Sequence, residues 1–349
     1  MTTIRRLTAL TIMLVVSVAV PIAPSVIGAS TTSIVAYSHL GLVDPVAICA
    51  HGKYVWIADL GANESQHGQV VRVTASTGAH LSITSPLINH PSALISDGSY
   101  VWVVNGSHFS PSHPFISRID IATNKVTLVR KLSSPGFLDS LAIAGRYLWV
   151  SGVAYPALLR INRTTLSTTK VTSDLFVGDE TLAADRHYLW VASDAGGLLG
   201  RGSLVRLSLT TGDVKAVNSP FFNDAVTVTS NGTSVWMPAS NHVVVKVDIA
   251  TGKVIKVSSR SFSLSLWIAS TKRDVYVMSV QDDLLAGPGG ALTQINAATD
   301  SLRVITSKFL TSPKGLAVLG SHVWVISSST LASGPTGPTE NYALVRITP

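Results

Sequence analysis

The sequence holds a single cysteine, Cys49, in 349 residues. No internal disulfide can form, so a chain exported into an oxidising compartment would rest on core packing alone. Cys49 sits in the apolar run Val46-Ala47-Ile48-Cys49-Ala50 with no histidine beside it, which reads as an inert buried thiol rather than a nucleophile. Charge is scarce too. Asp, Glu, Lys and Arg make up 13% of the chain against 46% hydrophobic residues, which excludes a disordered polymer. The formal charge of +7 is spread singly along the chain, with no basic run interleaved with aromatics, so nothing marks a nucleic-acid partner. A dispersed excess of this kind suits an anionic envelope polymer instead. Phosphate-cradling loops, nucleophile elbows and HExxH motifs are all missing.

The N-terminus reads as a leader. Arg5-Arg6 forms a basic start, the apolar stretch 7–20 is short for a membrane span, and small residues at Gly28-Ala29-Ser30 offer a cleavage site after Ala29. Arg5-Arg6 lacks the rest of a twin-arginine pattern, and no cysteine follows for a lipid anchor. The expectation is a signal peptide over residues 1–29 and a secreted mature chain without a transmembrane segment, an uncleaved anchor being the alternative. Removing residues 1–29 takes away two arginines and no acid, leaving a formal charge of +5.

What the chain has in quantity is a repeat. Its clearest copy spans 91–129: an apolar run, a turn at Asp97-Gly98, the strand Tyr100-Val101-Trp102-Val103-Val104, a polar loop, and a hairpin turning at Ala122-Thr123-Asn124. Aligned on the aromatic of the second strand, the copies centre on Trp56, Trp102, Trp149, Trp190, Trp236, Tyr276 and Trp324, about 40 to 48 residues apart. The sixth departs from the rest, carrying its tryptophan, Trp267, in the first strand. A second register falls in the third strand at Arg72, Arg118, Arg160, Arg206, Lys246, Gln294 and Arg346. We expect this register to pair with carboxylates or carbonyls near the hairpin, Arg118 with Asp120 and Lys246 with Asp248 lying on one strand face. A third register is the following turn, where Gly78, Asn124, Gly212, Gly252 and Asp300 supply a positive φ. Four short strands per copy predict an all-β, seven-bladed propeller over residues 30–349. Blades are expected near 45–84, 91–130, 138–172, 179–217, 224–258, 264–307 and 313–349. The last copy lacks a fourth strand, and the unassigned segment 33–37 is expected to supply it and close the ring.

Trp102-Val103-Val104-Asn105, followed by Ile119-Asp120-Ile121-Ala122-Thr123-Asn124-Lys125-Val126, resembles the YVTN-type β-propeller repeat with Trp in place of its Tyr. Tyr276-Val277 and Asp248-Ile249-Ala250-Thr251-Gly252-Lys253-Val254 fit the same pattern. The resemblance covers about residues 45–347 and implies architecture, since propellers host unrelated activities. More distantly the chain is similar to the streptogramin (virginiamycin B) lyases. That likeness implies a magnesium-assisted lyase with a histidine general base, but no local motif matches their catalytic positions residue by residue.

In a propeller the loops between second and third strands, and those linking blades, emerge on one face around the channel. The ionisable residues ahead of the first strands are Asp44, His90, Asp139, Asp179 with Glu180, Asp224 and, in the seventh copy, Lys314, while the sixth copy has none near Ser263. Carboxylates converging there would attract calcium, magnesium or a cationic ligand and raise one another's pKa. The structural alternative is that Asp and Pro simply start strands well. A second constellation, Glu64 and His67 with His108 and His113, combines imidazole and carboxylate as zinc or another metal requires, though its spacing matches no ligand signature and solvated loop histidines are the alternative. Asn63, Asn105, Asn162 and Asn231 begin Asn-x-Ser/Thr triplets, which matter only in a glycosylating host. The reading is a secreted, monomeric, non-enzymatic binding propeller whose channel mouth engages a small molecule, an envelope polymer or a protein. A metal-assisted lyase or hydrolase at the same face is the alternative.

Overall fold

In each repeat the second strand has almost no polar face. In Tyr54–Asp59, Tyr100–Asn105 and Tyr188–Ser193 every residue after the tyrosine is buried. A strand in a sheet covered on both sides by neighbouring sheets requires that continuous apolar run. The computed structural model describes residues 32–61, 67–106, 114–132, 137–153, 157–176, 180–193, 202–222, 227–239, 242–281, 289–330 and 340–349. Among them the strands form seven four-stranded antiparallel sheets, with no helix.

Blade 1 is Pro45–His51, Tyr54–Asp59, Gln69–Thr74 and His80–Ile83; blade 2 is Pro91–Ser96, Tyr100–Asn105, Phe115–Asp120 and Val126–Lys131. Blade 3 is Phe137–Ala144, Tyr147–Val153, Ala157–Asn162 and Thr168–Thr172; blade 4 is Glu180–Ala184, Tyr188–Ser193, Ser203–Ser208 and Val214–Val217. Blade 5 is Thr229–Ser230, Ser234–Ala239, Val243–Asp248 and Val254–Ser258; blade 6 is Leu264–Ser270, Asp274–Gln281, Gly289–Asn296 and Leu302–Thr306. Blade 7 is Ser312–Leu319, His322–Thr330 and Glu340–Thr348, completed on its outer edge by Ser33–Tyr37.

The core is divided into seven parcels, each lying between two blades. Trp56 of blade 1 packs on Val101, Val103 and Ile119 of blade 2. Trp236 of blade 5 packs on Val275, Val277 and Ile295 of blade 6. Trp324 of blade 7 packs on Val55, Ile57, Val71 and Val73 of blade 1. The repeated tryptophan is therefore the wedge that glues a blade to its successor, and truncating one costs roughly 3–5 kcal/mol. Blade 6 keeps the arrangement with Tyr276, while Trp267 packs beside it from the first strand.

The ends of the chain meet as the missing fourth strand requires. Ser33 pairs with Thr348, Val35 with Arg346 and Tyr37 with Leu344. In blades 1 to 4 a tyrosine lies two residues before the tryptophan, but in blade 7 His322 holds that place. Tyr37 supplies the aromatic instead, stacking on Trp324 with centroids 5.8 Å apart. Its ring also covers the turn of blade 1. A Cβ on Gly78, whose φ is +74°, would fall within a bond length or two of that ring, so glycine is needed there for both space and conformation.

The cation register turns out to be the cross-strand partner of the tryptophan register: Trp56 faces Arg72, Trp102 faces Arg118, and Trp236 faces Lys246. Arg72, Arg118, Arg160 and Arg346 lie over those indoles at 5.6–5.9 Å, and Lys246 lies over Trp236 at 5.0 Å. Arg118 donates to Thr127 Oγ1 of its own blade at 3.4 Å, and for Lys246 the expected pairing along the same strand gives way to one with the following blade. Lys246 Nζ reaches Asp300 Oδ1 at 2.7 Å and the Ala297 carbonyl at 2.8 Å in blade 6. Arg72 donates to Asn124 Oδ1 of blade 2 at 2.7 Å, and Arg346 to the Ala75 carbonyl of blade 1 at 3.1 Å. The physical reason is that Asp120 and Asp248 are spent on their own turns. Asp120 accepts from Thr123 N and Oγ1 and from Ala122 N, and those bonds, with a smaller contribution from Arg118, hold its carboxyl below the usual range. Blade 3 makes the same turn with Leu166 at φ +60°, a left-handed conformation that costs a side-chain-bearing residue about 1 kcal/mol.

Candidate functional site

The first strands lie innermost, and in five of them the mouth end is bulged. The register slips at Pro45/Ala47, Pro91/Ala93, Leu138/Ser140, Ser265/Trp267 and Pro313/Gly315. The extra residues are Val46, Ser92, Asp139, Leu266 and Lys314, each freed from ladder pairing, and bulges of this kind re-aim side chains. Two residues singled out from the sequence, Asp139 and Lys314, thus share one structural position. Neighbouring blades are stitched at this level: Ser92 Oγ donates to the Leu138 carbonyl at 2.9 Å, and Thr227 Oγ1 to the Leu266 carbonyl at 3.0 Å.

Above the bulges, the end of each second strand holds the incoming inter-blade segment. In blade 1 this clasp is Asp59, fully buried, whose carboxylate accepts from Asp44 N at 2.6 Å, from Val43 N at 3.1 Å and from Gln69 Nε2 at 2.8 Å. Asn105 does the same in blade 2, accepting from Asn89 N at 2.9 Å while donating to Ser117 Oγ. Ser327 accepts from Thr311 N at 3.1 Å in blade 7. Buried polar groups so fully engaged hold loops in place.

Asp44 is half-buried and clamped at both ends of its backbone, donating to Asp59 and accepting from Leu60 N at 2.9 Å. His90 is buried at 3% exposure in a left-handed conformation, φ +50°, and its N–H donates to the His67 carbonyl at 2.8 Å. His67 itself is exposed, with Nδ1 3.2 Å from Asn89 Oδ1. Lys314 is half-buried in blade 7. Glu180 opens the first strand of blade 4 opposite Ser193. The side chains of Asp139 and Glu180, and all of Asp179, Asp224, Glu64, His108 and His113, lie outside the described residues. Among the described residues no three His, Cys, Asp or Glu side chains are grouped to hold a metal ion.

These segments enclose an open recess of about 560 Å³ on the mouth face of blade 1. It is lined by Asp59, His67 and Gln69, by Thr84, Ser85 and Pro86, and by the exposed Val43. Gly68 makes the wall possible, since a Cβ there would lie 2.5 Å from the Asp59 carbonyl oxygen and 2.6 Å from that of Leu60. The mixture of two apolar side chains, hydroxyls, an amide and an imidazole, with the Asp59 carboxylate already engaged by backbone and amide donors, suits a neutral polar ligand more than a bare ion.

Sequence reasoning missed Asp59, because an aspartate ending an apolar strand resembles a loop residue until its amide partners are seen. It also missed a fourth register, Ser85, Ser173, Ser219, Ser259 and Ser307, each starting a turn after the outer strand and accepting an N–H two residues on. Three residues after each serine comes a buried plug: Ile88, Phe176, Phe222, Phe262 and Leu310. Ser-x-x followed by a bulky apolar residue, repeated in phase, was the available signal.

No protein-family model matches this chain, and no curated protein matches it. Among solved structures it is similar to a catalytically inactive virginiamycin B lyase from Staphylococcus aureus with quinupristin. The TM-score is 0.67 at 13% identity, over 91% of this chain and 100% of that one. It is also similar to the extracellular domain of a proposed one-component system from B. thetaiotaomicron. There the TM-score is 0.59 at 11% identity, over 88% of this chain but only 39% of the other. At such identities the likeness shows the fold, a seven-bladed β-propeller.

Proposed function

We propose that this chain is a secreted, non-enzymatic binding propeller that engages its ligand at the channel mouth, through the recess on blade 1 and the inner-strand positions of Asp44, His90, Asp139, Asp179, Glu180, Asp224 and Lys314. The observation that carries the reading is the recess of about 560 Å³, within the size range of ligand sites and walled by a carboxylate-anchored loop. Secretion rests on the leader-like residues 1–29, and agrees with a fold neighbour that is an extracellular domain. Among the described residues no helix is long and apolar enough to cross a membrane. The ligand is a small molecule, an envelope polymer or a protein partner, bound by a monomer.

The test is capture from the native cell envelope with the mature chain, compared with two variants. Thr84→Trp fills the recess, and an Asp44/Asp139/Asp179/Asp224→Asn variant removes the mouth carboxylates. Loss of the captured component with Thr84→Trp supports the reading, whereas equal recovery with all three baits removes it. Thermal unfolding with chelator and then with calcium, magnesium or zinc separates the lyase-like alternative, which requires a divalent cation to stabilise the protein.

A further inference from the structure

The first strands run from the mouth to the turns that join them to the second strands, and there the bore has a different character. His51 of blade 1, Ile95 of blade 2, Leu141 of blade 3, Leu182 of blade 4 and Val228 of blade 5 all border one cavity of about 440 Å³. First strands of five successive blades can share a cavity only on the propeller axis. The lining runs on to the C-terminal ends of these strands, at His51, Ser96, Ile143, Ala184 and Ser230, so this is the end remote from the bulges.

We propose that this end of the bore is a second binding site, for an uncharged small molecule with an apolar body and a hydrogen-bond acceptor at one end. Charge complementarity excludes an ion. The two charged residues of the lining are Asp97 and Arg163, and they satisfy each other at 2.8 Å. Arg163 also donates to the Gly145 carbonyl at 2.7 Å, while Asp97 accepts from Ser99 N, Tyr100 N and the Trp102 indole. Arg163 Nε alone is left without an acceptor, and it is buried, so the paired charges offer no open ionic partner to a ligand.

The wall itself is aliphatic. Ile95, Leu141 and Ile143 are only half-buried although they belong to innermost strands, and Ala142, Ala183 and Ala184 leave the space unfilled. At the rim, Ser96 and Ser230 hydroxyl oxygens accept from Gly98 N and Gly232 N at 3.3 and 3.2 Å, which leaves each hydroxyl proton free to donate. His51 is held at the edge against Gly98, where a Cβ would lie 2.9 Å from its Nε2. An aliphatic wall with donors at one end is how a pocket orients a neutral ligand that carries a carbonyl or ether oxygen.

The test uses 6-propionyl-2-(dimethylamino)naphthalene, a neutral fluorophore with an apolar ring body and a carbonyl acceptor at one end, with the mature full-length chain. Saturable one-to-one binding, insensitive to salt, is expected. Ala184→Trp should weaken it at least tenfold with an unchanged thermal midpoint, and Thr84→Trp at the mouth should leave it intact. Should Ala184→Trp fail to fold, Ile95→Ser makes the same wall polar without adding volume and should weaken binding similarly. Absence of saturable binding, binding equal in the wall variants, or binding lost with Thr84→Trp overturns the proposal. Because the mouth variant is read separately, failure here leaves the mouth reading standing, and the converse holds.

Discussion

Blade 5 contains a flaw that one atom should repair. In blades 2 and 4 an aspartate five residues before the tryptophan accepts the indole N–H, Asp97 from Trp102 at 2.9 Å and Asp185 from Trp190 at 2.6 Å. In blade 5 that place is Asn231. Its Oδ1 is taken by Thr233 N, Thr233 Oγ1 and Ser234 N at 2.8–3.1 Å. Its Nδ2 and the Trp236 indole N–H are then two buried donors without an acceptor. Asn231→Asp replaces one donor by an acceptor of nearly identical shape. A charge-assisted hydrogen bond contributes about 1.5–3 kcal/mol. Desolvating the carboxylate, offset in part by Lys246 lying 5.0 Å from the Trp236 ring, should consume about half of that. The net expectation is a gain of about 1 kcal/mol at pH 7, seen in urea unfolding and as a rise of about 1–3 °C in the thermal midpoint. The gain needs the ionised form, so it should vanish as pH falls through the carboxylate range. No gain at pH 7, or one that persists at pH 3, would refute the reasoning.

The converse substitution follows from the same geometry. Asp97→Asn sets an amide against the Trp102 indole and the Arg163 guanidinium and should cost about 2–3 kcal/mol in urea unfolding. Burial pushes the Asp97 carboxyl up, but its bonds from Tyr100, Trp102, Arg163 and Ser99 outweigh that and hold it below the usual range. Its contribution is therefore fully present above the unfolded carboxylate pKa of about 3.9 and lost as pH falls through the folded value. The wild-type midpoint should accordingly drop more steeply below pH 4 than that of Asp97→Asn. Burial drives the Cys49 thiol far above its ordinary range, with only the Ser96 N–H acting the other way. Cys49 is half-buried in the first strand of blade 1, so a thiol reagent at pH 8 should label it far more slowly in the native protein than in urea, and equal rates would contradict the packing of blade 1.

Much of the architecture was legible because its causes are local and repeat. Trp102 and Arg118 could each be placed in register from spacing alone, and so could the turn at Asn124. That they face each other across one pair of strands, and that Lys246 then reaches past its own Asp248 to Asp300, depends on the angle between blades, which no local pattern carries. The site was less legible. Lys314 and Asp139 were found by counting back from an aromatic, yet what they share is a β-bulge, a property of pairing rather than composition. His90 counted equally in that reading, but its backbone turns left-handed and the side chain is buried. Asp59 escaped notice because its role is to hold the amides of a loop distant in sequence.

Ring closure by the N-terminal strand is the claim on which both site assignments depend, and a cross-link tests it directly. Residues opposed in antiparallel strands lie about 4.5–5.5 Å apart at Cα, within disulfide reach. Ser33 and Thr348 are such a pair. In a Cys49→Ala background, Ser33→Cys with Thr348→Cys should oxidise within the native monomer. It should also resist urea better by as much as about 5 kcal/mol, the loop-entropy limit for a span on the order of 300 residues. A pair that stays reduced in the folded protein, or that links only different molecules, would contradict the closed ring.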